Sequence, residues 1–355
     1  PWQRQLDTPL RYLTTSLATS LAAWLGSLPL VAYYFHLVTP VSLLANLVIV
    51  PLSGFALMSN LGSLLCGDWL PWLTEIFNHG GWFWMALMVW LSEWFTRWPG
   101  AYFYVPPPSL WLFAFYYLLV GAVLSGWLAL PKRRVWCAVV LASLAGVLVW
   151  RVASERGSIR LHILALDGGE AFFLDAPGRR GDWLIDCGNT NSTKLVVMPF
   201  LRGQGVNRLT HLLLTHGDLR NVGGAAHVID EFRVEEIVTS GVRFRSRAYR
   251  QLLEDLPGSP QRWRQVSRGD ALAPWTVLHP DAGDRFAQAD DNAVVLRGEL
   301  AGLRVLLLSD LGLEGQARLL LRGYDLRADI VVAGLPRVRE PLSEDLLDAI
   351  GPRLI

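Results

Sequence analysis

The chain has 355 residues, 52% hydrophobic and 18% charged, which is too apolar for one soluble domain and long enough for two or more. Its formal net charge of +1 excludes a uniformly basic nucleic-acid-binding chain, while a local basic patch remains compatible with it. The three cysteines indicate neither a disulfide framework nor a cysteine-based zinc site.

Charged residues are distributed unevenly along the chain. Only six of the 32 Lys and Arg residues and four of the 31 Asp and Glu residues precede Arg151, whereas 13 of the 16 Trp residues do. This asymmetry predicts a membrane domain at residues 1–151 and a soluble domain at 157–355. The chain starts at Pro1 and ends at "GPRLI" where a strand begins, so we interpret it as a fragment of a longer protein whose soluble domain is truncated at its C-terminal end.

The first half contains five apolar segments, and about 20 apolar residues suffice to cross the ~30 Å hydrocarbon core of a membrane. The candidate spans are residues 17–37, 41–66, 82–95, 110–130 and 135–150. The third and fifth are short, so each is tilted, interfacial or longer than its apolar core. Together they predict a multi-pass α-helical membrane domain of about five helices.

Two prolines interrupt the first two spans, Pro29 and Pro51. Proline frees the carbonyl four residues earlier, and at membrane depth that carbonyl needs a partner from protein or water. Two interpretations stay open, an ordinary packing kink and a broken helix that lines a polar pathway.

Lys132, Arg133 and Arg134 form the strongest basic cluster between candidate spans. The positive-inside rule places this cluster in the cytoplasm and the aromatic loop at 97–109 outside. If the span at 135–150 crosses the membrane, the soluble domain is extracytoplasmic.

The second half alternates short apolar runs with amphipathic stretches. Predicted strands are 159–166, 171–174, 183–186, 210–215, 235–239, 293–299, 303–308 and 329–333, and predicted helices are 193–203, 222–231, 246–256, 313–322 and 343–350. This order predicts an α/β sandwich, with two packed sheets and helices outside.

The densest basic run of the soluble half comprises Arg243, Arg245, Arg247 and Arg250. It is either a solvated surface or a strip that contacts phosphates, and these four arginines are our candidate DNA contacts.

Seven blocks of sequence, in order, resemble the ComEC-type competence proteins, which are inner-membrane channels for DNA uptake. They lie at 20–52, 161–174, 183–189, 209–224, 291–299, 306–310 and 342–352. The resemblance implies a C-terminal metallo-β-lactamase-like αββα domain. It also implies membrane lipid, single-stranded DNA and other competence proteins as partners.

The departures from the family pattern concern its metal-binding loop, T-H-x-D-x-D-H-x-G-G. The stretch "THGDLRNVGG" (215–224) keeps His216 and Asp218 but has Arg220 and Asn221 where the family has Asp and His. Asp310 stands at the position of the metal-bridging carboxylate. A fixed positive charge on Arg220 would take a cation's place and pair with Asp218 or Asp310.

Two further family blocks are altered. Leu335-Pro336 replaces a histidine pair, and "ALDGGE" (165–170) ends in Glu170 instead of Asp. The Asp186-Cys187-Gly188 turn resembles the family's Asp-Thr-Gly, and the pairs Gly168-Gly169 and Gly223-Gly224 indicate tight turns and close packing.

Catalysis by two metal ions requires about three protein ligands for each ion. The remaining trio of His216, Asp218 and Asp310 is therefore expected to hold at most one divalent ion, Zn²⁺ or Mn²⁺, and we predict a vestigial active site. The further histidines that are candidates to complete a site are His162, His211, His227 and His279.

Three functions remain open from the sequence. The first is a channel component for single-stranded DNA whose soluble domain guides DNA without cutting it. The second is a metal-dependent nuclease that degrades the strand left outside, and the third is a membrane protein whose soluble domain is an interaction module unrelated to DNA.

Overall fold

The computed structural model describes residues 2–127, 158–176, 181–256, 262–334 and 341–355, with scattered positions between 130 and 146 and with side chains from residue 11 onward. The chain divides into two compact units, Pro1–Trp127 with Arg202–Gly205, and Leu128–Leu201 with Val206–Ile355. The predicted boundary between residues 151 and 157 lies outside the described residues and stays a prediction.

Four helices and one short ladder form the first unit. The helices are α1 (Trp2–Phe35), α2 (Ser42–Cys66), α3 (Pro71–Thr96) and α4 (Leu110–Leu124), and β1 (Leu37–Val38) pairs antiparallel with β2 (Phe103–Tyr104). Within the described part, the segment Arg11–Phe35 of α1 and the whole of α2 are long and apolar enough to cross a membrane.

The third and fourth predicted spans differ from the helices. The third, 82–95, is the apolar part of the longer α3. The fourth extends too far, because α4 ends at Leu124 and Gly126 follows with φ +69°. Glycine in this conformation ends helices, although the apolar residues continue past it. Lys132, Arg134 and seven of the sixteen positions of the fifth span, 135–150, lie outside the described residues, so this span stays a prediction.

Two carbonyl groups of α1, one helical turn before Pro29, accept hydrogen bonds from α4. The Tyr116 hydroxyl donates to the Leu25 carbonyl at 2.6 Å, and the Tyr117 hydroxyl donates to the Gly26 carbonyl at 2.8 Å. The Leu25 carbonyl lies four residues before Pro29 and is therefore the one that proline leaves without a helical donor. The prediction of a partner for this carbonyl is confirmed.

Tyr116→Phe should lower the stability of the helical unit by about 1 kcal/mol, because it leaves the Leu25 carbonyl unpaired in an apolar environment. Thermal unfolding in detergent measures the loss. Tyr34→Phe is the matched control, since Tyr34 lies on α1 with 69% of its surface exposed. An equal effect of both variants would contradict the role of the Tyr116 hydroxyl.

Two sheets form the second unit. The six-stranded sheet has the order β3 (Arg160–Ile163), β4 (Phe172–Asp175), β5 (Trp183–Ile185), β6 (His211–Leu214), β7 (Glu236–Ser240) and β8 (Arg262–Val266). The five-stranded sheet has the order β13 (Ile330–Ala333), β12 (Leu303–Ser309), β11 (Val295–Leu300), β10 (Trp275–His279) and β9 (Ala271–Leu272).

Helices connect these strands. They are α5 (Thr190–Ser192), which continues through a π-helical turn (Thr193–Val197) into α6 (Met198–Gly203), then α7 (Leu219–Val222), α8 (Ala225–Phe232), α9 (Arg247–Asp255), α10 (Leu313–Leu321) and α11 (Glu344–Ile350). A 3₁₀ turn, Asp290–Asn292, precedes β11.

The two sheets pack face to face through a buried apolar core. Trp183 and Leu213 of one sheet and Trp275 and Leu307 of the other belong to the same buried cluster. A second cluster joins the outer face of the five-stranded sheet to α10 and α11. The predicted α/β sandwich is confirmed.

Three described strands of the second unit were not predicted from the sequence, β8, β9 and β10, and neither were the two-residue strands β1 and β2 of the first. Strand β8 is an edge strand in which three of the five residues are polar, and β9 has only two residues. Pro274 and Pro280 flank β10, and proline at both ends hides a strand from pattern analysis.

Asp182, just before β5, is half-buried, and burial raises the pKa of its carboxyl group from 3.8 to about 6. The folded protein therefore keeps this proton to higher pH than the unfolded chain. Ionisation of Asp182 lowers the free energy of unfolding, and this loss is absent below pH 3.8 and complete above about pH 6. Asp182→Asn should stabilise the second unit by about 1 kcal/mol above pH 6, a value reduced because water screens the exposed part of the group. Denaturant unfolding at several pH values should show the gain disappearing near pH 4; a gain that is independent of pH would contradict it.

Candidate functional site

The predicted site residues lie where parallel strands of both sheets end. Asp186 follows β5, His216 follows β6 after Thr215, and Asp310 follows β12. Strands β5 and β6 are parallel neighbours in one sheet, and β12 and β13 are parallel neighbours in the other. Carboxyl ends of parallel strands share one edge of a sheet, which explains why residues far apart in sequence meet there.

His216 is fully buried and its two ring nitrogens have different surroundings. Nδ1 lies 3.0 Å from the Thr215 hydroxyl, whose single proton goes to Asp186 Oδ2 at 2.6 Å. Nδ1 is therefore the donor in its contact, and in the neutral tautomer that this contact selects the lone pair lies on Nε2. Nε2 has no hydrogen-bond partner and lies 3.3 Å from Asp310 Oδ1 and 3.8 Å from Asp290 Oδ1.

Carboxylates converge on this nitrogen. Ligand atoms of His216, Asp218 and Asp290 all lie within 4.8 Å of one another. Asp218 caps α7 by accepting from the Arg220 amide at 3.1 Å, and Asp310 reaches the pocket from the end of β12. The structure places Asp310 Oδ1 3.3 Å from His216 Nε2, but the group of mutually close ligand atoms contains Asp290, which the sequence analysis missed, in place of the predicted Asp310. The acidic pair directly before β11 was the available clue.

Arg220 supplies a fixed positive charge inside this group. Its Nη2 lies 3.5 Å from Asp218 Oδ2 and 3.7 Å from Asp310 Oδ2, and its side chain is 33% exposed. Gly169, with φ +82°, allows the preceding loop to lie against Arg220, because a Cβ atom there would overlap the Arg220 carbonyl. The predicted pairing of Arg220 with Asp218 or Asp310 is present with both.

Asn221 is also buried and presents a donor to the site. Its Nδ2 donates to Asp186 Oδ2 at 3.1 Å and to Glu170 Oε1 at 3.4 Å. The Ser309 hydroxyl donates to the same Glu170 oxygen. This amide therefore connects two buried carboxyl groups through hydrogen bonds.

Burial governs the electrostatics of the pocket. It raises the pKa of Glu170 well above its usual range, and the charges of Asp310 and Asp186 raise it further. It raises the pKa of Asp186 to about 6, against the opposing effect of His216, and also raises the pKa of Asp310. Buried carboxyl groups at such close range are stabilised by a nearby positive charge, and Arg220 supplies one.

The four other candidate histidines lie elsewhere. His211, at the start of β6, contacts Glu236 at 3.0 Å and stacks on Trp183, and His162 packs against Phe200. His279 Nε2 donates to the Asp291 carbonyl at 2.8 Å, while burial lowers its pKa. His227 lies in α8 and, like the others, is outside the His216–Asp218–Asp290 group.

The four candidate DNA-contact arginines form a basic strip beside this pocket. Arg243 and Arg245 follow β7, Arg247 and Arg250 lie on α9, and all four are exposed. None of them has an ion-pair partner among the described residues. Phe244, buried between the first two, meets the His216 ring edge to face at 6.4 Å.

Comparison with known families finds one matching segment in each half of the chain. Residues 1–130 match the family model described as "Competence protein", and residues 167–309 match the metallo-β-lactamase superfamily. The chain joins a competence domain to a metallo-β-lactamase domain. The resemblance inferred from the sequence blocks is thereby confirmed, as is the fold of the soluble half.

One curated relative aligns with both domains. ComE operon protein 3 of Bacillus subtilis is 25% identical over 380 residues, which cover 99% of this chain and 47% of the relative. The chain thus spans about half the length of that protein.

Solved structures resemble the metallo-β-lactamase domain more distantly. A metallo-β-lactamase from Cronobacter sakazakii is 15% identical, with 49% of this chain and 76% of that one covered and a TM-score of 0.34. The MIM-2 metallo-β-lactamase is 19% identical, with 52% and 77% covered and a TM-score of 0.35.

The metal chemistry implied by the superfamily name can be tested against the residues present. One divalent ion fits, because His216 Nε2 is buried without a hydrogen-bond partner and faces the carboxylates of Asp218 and Asp290. A second ion does not fit the described residues, since the Arg220 guanidinium and the Asn221 amide present donors where acceptors would be needed.

Proposed function

We propose that this chain is a membrane component of DNA uptake. In this proposal the competence domain forms part of a channel for incoming single-stranded DNA, and the metallo-β-lactamase domain guides the DNA without cutting it. The two family matches and the exposed basic strip support a role with DNA. Membrane lipid and other competence proteins are the further partners.

One observation carries the non-catalytic part of the proposal. The Arg220 guanidinium lies between Asp218 and Asp310, where it neutralises the carboxylates that a second ion would need. Hydrolysis of a phosphodiester by two metals depends on closely spaced cations that polarise the phosphate. An arginine supplies charge but no open coordination position.

Transformation of cells that carry His216→Ala or Asp218→Ala tests this function. If the domain only guides DNA, both variants should support uptake at the level of the wild type, provided that both are folded and present at normal amounts. Loss of uptake by such folded variants would contradict a non-catalytic domain.

A second candidate function is a metal-dependent nuclease with one ion. It is favoured by the His216–Asp218–Asp290 group, which would hold Zn²⁺ or Mn²⁺. A bound ion would polarise a phosphate oxygen. Incubation of the protein with labelled DNA and either metal decides the question, because no cleavage above a metal-free control eliminates this candidate.

The proposed location is the inner membrane, with several spans and with the metallo-β-lactamase domain outside the cytoplasm. The two apolar helices and the basic cluster at 132–134 support it. Protease added to spheroplasts should then digest the metallo-β-lactamase domain without lysis. Digestion only after lysis would reverse the orientation.

A further inference from the structure

One face of α1 is polar over most of its membrane-spanning length. Tyr12, Ser16, Thr19, Ser20 and Ser27 recur at spacings of about three, four or seven residues, which places them on the same side of the helix. At 1.5 Å per residue this face extends about 22 Å, compared with a hydrocarbon core of ~30 Å.

This face borders two clefts shared with α2. A cleft of about 360 Å³ is lined by Ser16 and Thr19 together with Asn46 and Pro51 of α2. A second cleft of about 180 Å³ is lined by Ser27 and again by Asn46. Asn46 therefore joins the two clefts into one seam, which we call the α1–α2 seam.

Some polar groups along the seam bond locally and others have no protein partner. The Ser27 hydroxyl donates a hydrogen bond to the Ala23 carbonyl of the same helix at 2.9 Å. Ser16, Thr19 and Ser20 make no such bond in the described part of the chain, and the half-buried Asn46 amide has no protein partner there either. An amide without a partner in hydrocarbon costs several kcal/mol. Water would remove that cost, and both clefts are large enough to hold water molecules.

Small hydroxyl residues also occur where membrane helices pack tightly. Tight packing would close the space between α1 and α2 at these positions, whereas both clefts lie there. The hydroxyl groups that donate to the Leu25 and Gly26 carbonyls come from α4 and not from α2, so these bonds do not fill the seam.

We propose that the α1–α2 seam is a water-filled wall of the path by which a polar solute crosses the membrane half. The wall carries no Asp, Glu, Lys or Arg among its lining residues. An acidic wall would repel phosphodiesters and a basic wall would retain them, so a neutral wall of hydroxyl and amide groups suits a passing polyanion. The identity of that solute as single-stranded DNA rests on the function proposed above.

Cysteine labelling of the intact protein in its native membrane tests the seam. In a background with Cys66, Cys137 and Cys187 replaced by alanine, Thr19→Cys and Asn46→Cys probe the wall. Leu21→Cys and Leu44→Cys are controls two residues away, on the opposite helix faces, at side chains that are 44% and 48% exposed.

A membrane-impermeant, negatively charged thiosulfonate should modify the seam cysteines at least ~100-fold faster than the controls, because the reactive thiolate forms in water and not in lipid. Equal rates at all four positions, or no modification of the seam cysteines in correctly inserted protein, would overturn the proposal.

A second measurement separates this proposal from the function on which its solute rests. Single-stranded DNA added to transforming cells should slow modification of Asn46→Cys if the strand passes along the seam. If Asn46→Cys is labelled fast and DNA does not slow the labelling, the seam contains water but single-stranded DNA is not the solute that passes along it.

Discussion

Replacing Arg220 with methionine should make the stability of the metallo-β-lactamase domain depend on a divalent cation more strongly than that of the wild type does. Methionine keeps an unbranched side chain but removes the charge between Asp218 and Asp310. The buried carboxylates then repel one another without compensation, and we expect a loss of about 2–3 kcal/mol in the free energy of unfolding. Mn²⁺ or Zn²⁺ at 100 times its dissociation constant should return about 2.7 kcal/mol.

Denaturant unfolding with and without metal measures both effects. Arg262→Met is the matched control, because Arg262 pairs with Glu236 at 3.5 Å but its side chain is 79% exposed. Its free energy of unfolding should fall only slightly, and metal should not change that result. Metal analysis of the wild-type protein should find at most one ion per chain. Two bound ions, or a variant as stable as the wild type, would refute the assignment of Arg220 as the resident cation.

Neutralising the basic strip should weaken binding of single-stranded DNA by about 100-fold near 0.1 M salt. The change is the quadruple replacement of Arg243, Arg245, Arg247 and Arg250 with glutamine. All four are exposed, and none has an ion-pair partner in the described part of the domain, so their charge is available to phosphates. The slope of log affinity against log salt should fall by about 3, since each phosphate contact on a single strand contributes ~0.7.

Electrophoretic titration at several salt concentrations measures affinity and slope together. The matched control replaces four exposed arginines that already pair with acids, Arg208, Arg262, Arg327 and Arg353. Its change in net charge is the same, and its loss of affinity should be far smaller. An equal loss in both quadruple variants would show that net charge alone, and not the strip, attracts the DNA.

The division into an apolar and a charged half, the eight predicted strands and the altered loop at 215–224 could all be predicted from the sequence. Each depends on local information. Apolar runs, turn residues and the spacing of His216 and Asp218 are properties of neighbouring residues, and they persist whatever the rest of the chain does. The need of the Leu25 carbonyl for a partner is equally local, because it follows from Pro29 alone.

The tertiary structure decided which distant groups meet. Asp290 precedes β11 in sequence by only a short turn, yet it is a neighbour of His216 because the two sheets end at the same edge. The direction of Arg220 depends on Gly169, on Asp218 in its own loop and on Asp310 after β12. Contacts between segments that are far apart in sequence depend on packing, and the residue pattern of one segment does not identify which residues of another segment it will contact. For the same reason only the folded chain shows that Asn46 borders two clefts and that the arginine strip adjoins the pocket of buried acids.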